Sequence, residues 1–272
     1  MPKSLAAIVL VLLIAAAAYW LFAPHDEAFV PSPTPVTPVT APVASTPTDI
    51  QPQPSAEGVT DDAGATSAVV APATPVVDES IVTPPPTLDA SDALALAAVT
   101  QLNPDVAQWL LPEEQVRKWV ALINLLADGK VPVKDRPLEY PLPAFQVQKK
   151  GDTLWMDRTN YRRATVLIKA LSEMPPSQVA RHYQAWLPLF EQAQNELGNG
   201  KQFGERLDTA INRIMAVRPL TGDIELQAGV LKYTYANPAL EQASALEKML
   251  WRLGPSNTLR IQNYLRDLAP LL

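Results

Sequence analysis

Cysteine is absent from the 272-residue chain, and histidine occurs only twice, at His25 and His182. Without a thiol there is no disulfide, no thiolate nucleophile, no thiolate-held metal and no lipid-modified N-terminal cysteine. With His182 alone beyond the first 25 residues, a two-histidine metal site is excluded and one imidazole base is left. HExxH spacing is missing, and so is the GxSxG elbow that would nominate a nucleophilic serine. Charge is sparse at 18% of the chain, and no Lys or Arg stands between Lys3 and Arg117. The 28 acids outnumber the 22 bases, yet beyond residue 87 the balance is 20 acids against 21 bases. A nearly neutral domain of that kind speaks against a nucleic-acid partner.

The residues that are present fall into three unlike segments. Residues 5–23, LAAIVLVLLIAAAAYWLFA, carry no charge; as a helix they would rise about 28 Å, close to a hydrocarbon core of about 30 Å. They read as a transmembrane helix, with Lys3 on the cytoplasmic side under the positive-inside bias and the rest of the chain outside. A cleaved secretory signal ending in the run Ala15–Ala18 is the competing reading, opposed by Tyr19, Trp20, Leu21 and Phe22, which prolong the apolar stretch. Residues 24–87 hold 14 of the 28 prolines, eight acids and no base. Lacking periodic large apolar side chains, this acidic Pro/Thr/Val/Ala-rich stretch reads as a disordered linker with polyproline character, a tether for the C-terminal domain.

From residue 88 to 272 helix signals dominate, and the expectation is a mainly α, multi-helix globular domain of six or seven helices with a small β-hairpin. Ser91 is positioned to cap a helix ending near Asn103. Pro112 suits a first helical position, after which Val116, Trp119, Val120, Ile123 and Leu126 recur at helical spacing up to Gly129. AFQVQ, KKGD and TLWM alternate across a glycine turn and predict the hairpin. Helices are expected over Thr159 to Glu173 and over Pro176 to Leu197, the second kinked at Pro188, and then through Phe203, Leu207, Ile211, Ile214 and Met215. DIELQAGVLKYTYA is ambiguous, its alternation and aromatics favouring a strand or hairpin while Gly229 and its Ala and Leu content weaken that reading, and two closing helices meet at the Gly254-Pro255 break.

Each chemical motif has a plainer structural reading beside it. GNGKQFG places Gly198, Gly200 and Gly204 near a nucleotide fingerprint, but the second gap is one residue too long and the run follows a helix, so a helix end and turn explain it. Glu113 and Glu114 are adjacent, so on a helix they diverge by about 100° and do not converge on one bond. His182 falls at the border of an apolar stripe and reads as a structural or surface histidine. The densest basic stretch is Arg158, Arg162, Arg163 and Lys169 with Tyr161 between them, which reads either as a solvated helix face or as a surface for an anionic group or partner. Trp109, Trp155, Trp186 and Trp251 line either a groove or the core, and the last two fall in core stripes.

The stretches WLLPEEQVRKWVALINLLADGK, DRTNYRR, HYQAWLPLFEQAQNELG and YANPALEQASALEKMLWRLGPSN carry a resemblance. Over roughly residues 90 to 270 the chain resembles the domain of unknown function 3014, a family of proteobacterial single-span envelope proteins. The resemblance implies a bacterial inner-membrane protein with a cytoplasmic N-terminus and a periplasmic C-terminal domain; it brings no activity, cofactor, metal or catalytic residue. The function expected is a membrane-tethered interaction or scaffold module with an envelope-protein or cell-wall partner. The alternatives are a glycan- or anionic-ligand-binding domain and a cell-wall hydrolase. Tyr161, Arg162, Arg163, Glu241, Lys248 and Arg252 are the candidate interaction surface, because the resemblance points to the NYRR and LEQASALEKMLWRLGPSN segments as those that define the domain, and Lys248 and Arg252 stand four apart on one helical face.

Overall fold

A computed structural model describes residues 81–230 and 232–272. Nine α-helices and a four-stranded antiparallel sheet lie among the described residues. Helix α1 (Asp92–Leu102) begins after Ser91, whose hydroxyl does not cap it as expected but turns back to donate to the Leu88 carbonyl at 2.6 Å. The carboxylate of Asp92 caps another helix instead, accepting from the backbone N–H groups of Glu114 and Gln115 at 2.8 Å each. That long-range cap starts the third helix, α3 (Gln115–Ala127), three residues after the expected Pro112. Between them a single turn, α2 (Pro104–Ala107), is capped by Asn103, which accepts from the Asp105 N–H at 2.9 Å.

The stripe expected on α3 is buried as a whole, and Gly129 closes the helix with a positive φ of 73° while Lys130 N–H reaches the Leu125 carbonyl at 2.8 Å. The helix expected from Thr159 to Glu173 is split into a 3-10 turn, Arg158–Arg162, and α4 (Thr165–Ser172). Asp157 caps the turn, accepting from the Thr159 N–H at 2.7 Å, and the buried Asn160 side chain is held by the backbone of Gln146, which favours the tighter turn there. Helix α5 (Pro176–Glu196) runs on through Pro188. Both Pro188 and Gln184 are exposed, so water can reach the carbonyl that the proline leaves without a donor. Its buried face carries Tyr183 and Phe190, stacked on each other, and Phe190 stacks in turn with Phe203 of α6 (Phe203–Ala216); Leu197, expected to prolong that face, is exposed. The Trp186 indole donates to the Val82 carbonyl at 2.9 Å, which seats this part of the Pro-rich segment on the helices.

Strands β1 (Val147–Lys150) and β2 (Thr153–Met156) form the expected hairpin. The ambiguous segment forms a second hairpin, β3 (Glu225–Ala228) and β4 (Tyr233–Tyr235), which joins the first through β2 and β3 in the order β1-β2-β3-β4. On one face Met156, Leu226 and Tyr235 are buried, and the alternate positions Gln148, Glu225 and Gln227 are exposed. The chain closes with a single turn, α7 (Pro238–Glu241), then α8 (Ala245–Leu253) and α9 (Pro255–Leu268), broken at Gly254-Pro255 as the sequence predicts.

The expected architecture is corrected in two respects. The β part is a four-stranded sheet, because alternation in residues 225–235 finds its pairing partner in a strand about 70 residues earlier. No helix among the described residues is long and apolar enough to cross a membrane. The span expected over residues 5–23 and most of the 24–87 linker lie outside the described residues. The transmembrane helix, the single-pass inner-membrane placement and the periplasmic location therefore have no support in the structure.

Candidate functional site

The two sequence segments that stood out, NYRR and WRLGPSN, are in contact. Gly254 adopts φ 84° and ψ 162°, a conformation essentially restricted to glycine. It packs closely against the side chain of Tyr161, where a Cβ on Gly254 would stand 2.4 Å from Tyr161 Cγ. Three residues on, the buried Asn257 amide donates to the carbonyls of Tyr161 at 2.7 Å and Leu253 at 3.0 Å and approaches Thr165 Oγ1 at 3.1 Å. The break between α8 and α9 is thus locked to the 3-10 turn, with a glycine required by close approach and an asparagine supplying the directional bond.

Next to this lock sits an aromatic and basic cluster. Asn160 bonds both backbone groups of Gln146, accepting from its N–H at 2.8 Å and donating to its carbonyl at 2.7 Å, as a strand neighbour would. That fixes Phe145, the residue before it. Arg163 donates from Nε to the Pro143 carbonyl at 2.6 Å, and its guanidinium lies 5.6 Å from the Phe145 ring centre. Arg252 lies 5.8 Å from the same ring and 5.6 Å from that of Tyr235, and also donates to the Tyr233 carbonyl at 3.3 Å. Two guanidiniums and the half-buried Tyr233 therefore surround one phenylalanine.

Glu241 joins the cluster to the sheet edge. Its carboxylate accepts from the Tyr235 N–H at 2.9 Å and from Lys248 Nζ at 3.1 Å. Burial pushes this carboxyl up, but the Tyr235 N–H, Lys248 and Arg252 outweigh it and hold the group below the usual glutamate range. Burial raises the Tyr235 phenol, opposed by Arg252, and burial likewise raises Tyr161.

The structure brings five of the six candidate residues into this region: Tyr161, Arg163, Glu241, Lys248 and Arg252. Lys248 and Arg252 do share a helical face, and that face is turned onto the sheet; Arg252 is only 7% exposed. Arg162 is the outlier: it is exposed and forms no hydrogen bond or ion pair among the described residues. The rest of the basic stretch is engaged, Arg158 with Asp223 at 2.9 Å and Lys169 with Glu173 at 3.7 Å. Sequence reasoning missed Phe145, Asn160, Tyr233 and Asn257. Asn160 and Asn257 stand inside the quoted motifs, whereas Phe145 carries no local signal at all.

The other motifs take their plain readings. His182 is 2% exposed, its Nδ1 3.0 Å from the Gln178 carbonyl and its Nε2 3.2 Å from Gln101 Oε1. Gly198 and Gly200 turn the chain with φ of 62° and 67°. The start of α6 just beyond them is already filled by the carboxylate of Glu191, which accepts from the Phe203 N–H at 3.0 Å. Trp186 and Trp251 are core residues, Trp109 packs edge-on to Tyr140 at 4.8 Å, and Trp155 lies on the sheet under Lys150 at 5.8 Å. No group of three or more His, Asp or Glu that could hold a metal occurs among the described residues.

A family model described as Protein of unknown function (DUF3014) matches residues 115–269, from the first residue of α3 to one residue past α9. That is more than half of the chain and contains the whole Tyr161, Phe145 and Arg252 region, and the chain belongs to this family. No curated protein and no solved structure matches it.

Proposed function

We propose that this member of the DUF3014 family is an interaction module that presents Arg162, Arg163, Phe145 and Tyr233 to an acidic segment of a partner protein. The observation that carries the reading is the exposed Arg162 side chain, which has no partner among the described residues and precedes in sequence an arginine held by Pro143 and Phe145. Arginine fixed on an aromatic ring loses little side-chain entropy on binding and offers a planar fork to a carboxylate, which is why arginine and tyrosine concentrate at protein interfaces. A small anion is the poorer occupant, because Arg252 already lies buried between rings and Lys248 is committed to Glu241.

Arg162→Glu is the test. The side chain is exposed, so the substitution leaves the fold intact, and crosslinking with mass spectrometry on cells expressing the full-length chain should lose the partner recovered with the unaltered protein. Lys169→Glu, on the neighbouring helix, should keep it. An identical set of crosslinked proteins for Arg162→Glu and the unaltered chain refutes this surface as the interface.

A further inference from the structure

The turn between α5 and α6 holds chemistry that the proposed interface does not use. Gly198, Asn199 and Gly200 are exposed, and Asn199 alone of the chain's nine asparagines is followed by glycine. The backbone nitrogen after an asparagine can attack the side-chain carbonyl carbon, Cγ, and close a succinimide ring. Attack requires that this nitrogen be unhindered and not engaged as a hydrogen-bond donor, since an engaged amide neither moves nor gives up its proton readily. It is helped by donors on the side-chain oxygen, which becomes negative as the ring closes.

Gly200 provides the nitrogen. Its N–H makes no hydrogen bond among the described residues, its φ is 67°, and nothing lies within 4 Å of the place a Cβ would take. Asn199 provides the carbon. Its Oδ1 accepts from the Lys201 N–H at 3.1 Å and from Gln194 Nε2 at 3.0 Å, so two donors already sit on the oxygen that takes the charge. The bond to Lys201 also folds the side chain back over its own peptide link to Gly200. The departing nitrogen is loosely held, Nδ2 lying 3.4 Å from Asn124 Oδ1. Asp128-Gly129 is the contrast within the same fold: the Gly129 N–H is spent on the Leu126 carbonyl at 2.9 Å, and Arg206 keeps the Asp128 carboxylate ionised and so a poor electrophile.

We infer that Asn199 is a site of self-modification, in which the Gly200 nitrogen bonds to Asn199 Cγ and Nδ2 departs as ammonia with the proton that nitrogen gives up. Water then opens the succinimide at either carbonyl, its hydroxyl going to the carbon and its proton to the nitrogen, and leaves aspartate or isoaspartate. Both products carry a new carboxylate in the turn, and isoaspartate also routes the main chain through Cγ, which lengthens the turn before α6.

The experiment holds the full-length chain at neutral pH and physiological temperature, folded or unfolded in urea. Digests taken at intervals are read by mass spectrometry for conversion at each asparagine, and an isoaspartyl methyltransferase labels the isoaspartate. Asn199 should convert well ahead of the other asparagines, and at least as fast in the folded chain as in urea. Gln194→Glu keeps an acceptor for Asn124 Nδ2 and removes the donor on Asn199; it should slow conversion about tenfold in the folded chain and leave the rate in urea unchanged. Gly200→Ala, which hinders the attacking nitrogen, should slow it in both states. Conversion at Asn199 that is slower folded than in urea, a comparison that needs no variant, overturns the proposal, and so does an unaltered rate in folded Gln194→Glu.

Discussion

Replacing Gly254 by alanine tests whether the contact between the two motif segments holds the domain together. The added methyl would lie 2.4 Å from Tyr161 Cγ, 2.5 Å from Cδ1 and 2.7 Å from Cβ, and the backbone there has φ 84°. The backbone conformation alone costs a non-glycine residue about 1–3 kcal/mol. Forcing the ring aside adds about 1–3 kcal/mol, because Tyr161 is wedged under α8 and tied by Asn257. The expected loss is therefore about 4 kcal/mol. With a urea dependence of about 2 kcal/mol per molar, the unfolding midpoint followed by tryptophan fluorescence should fall by about 2 M. Gly198→Ala is the matched control, since Gly198 has φ 62° with nothing within 4 Å of its would-be Cβ; it should lose only the backbone part, about 1 kcal/mol. Tyr161→Ala removes two of the three clashing atoms, so combining it with Gly254→Ala should cost less than the sum of the two single changes by about 1 kcal/mol or more. If Gly254→Ala costs no more than Gly198→Ala, or the double variant is simply additive, the close contact is not what fixes the glycine.

Burial disfavours the charged form of His182 and holds its pKa below the ordinary 6.5, with its bond to the Gln178 carbonyl only partly opposing this. The unfolded chain then takes up the proton first as pH falls. Stability is full above about pH 6.5 and declines below it until the folded imidazole also protonates, so His182→Gln should flatten the change in urea midpoint between about pH 7.5 and 5.5; an unchanged slope would contradict the buried, neutral assignment. Ser244 and Glu247 form a reciprocal cap at the start of α8, Glu247 N–H to Ser244 Oγ at 3.2 Å and Ser244 N–H to Glu247 Oε2 at 2.9 Å. Ser244→Ala should therefore cost about 1 kcal/mol in urea unfolding and Ser244→Asp much less, with equal losses arguing for a role other than capping.

The helical stripes of α3, α5, α6, α8 and α9 were legible because a periodic run of apolar side chains is a local property, and so were the Gly151 hairpin and the Gly254-Pro255 break. Helix starts were less so. Ser91 has the right chemistry to cap α1 but does not, and two of the caps that form are long-range, Asp92 on the start of α3 and Glu191 on that of α6, across 22 and 12 residues. The NYRR and WRLGPSN segments were legible as important and not as partners. Tyr161 and Gly254 meet only because the sheet and α8 bring them there, and the Asn160 to Gln146 pairing that holds Phe145 has no counterpart in spacing.

By itself, then, the sequence determined that the domain is mainly helical and nearly neutral, without cysteine chemistry or a two-histidine metal site, and that Lys248 and Arg252 share a helical face. Composition and period are properties of short stretches, and neighbouring side chains are ordered by the helix geometry wherever the helix sits. Only the tertiary structure decided that this shared face packs onto β4, that Arg162 alone of the basic stretch has no partner among the described residues, and that Tyr264 is buried. Those outcomes depend on which distant surface covers each stripe, and burial, pairing and exposure belong to both partners of a contact, so neither segment encodes them alone.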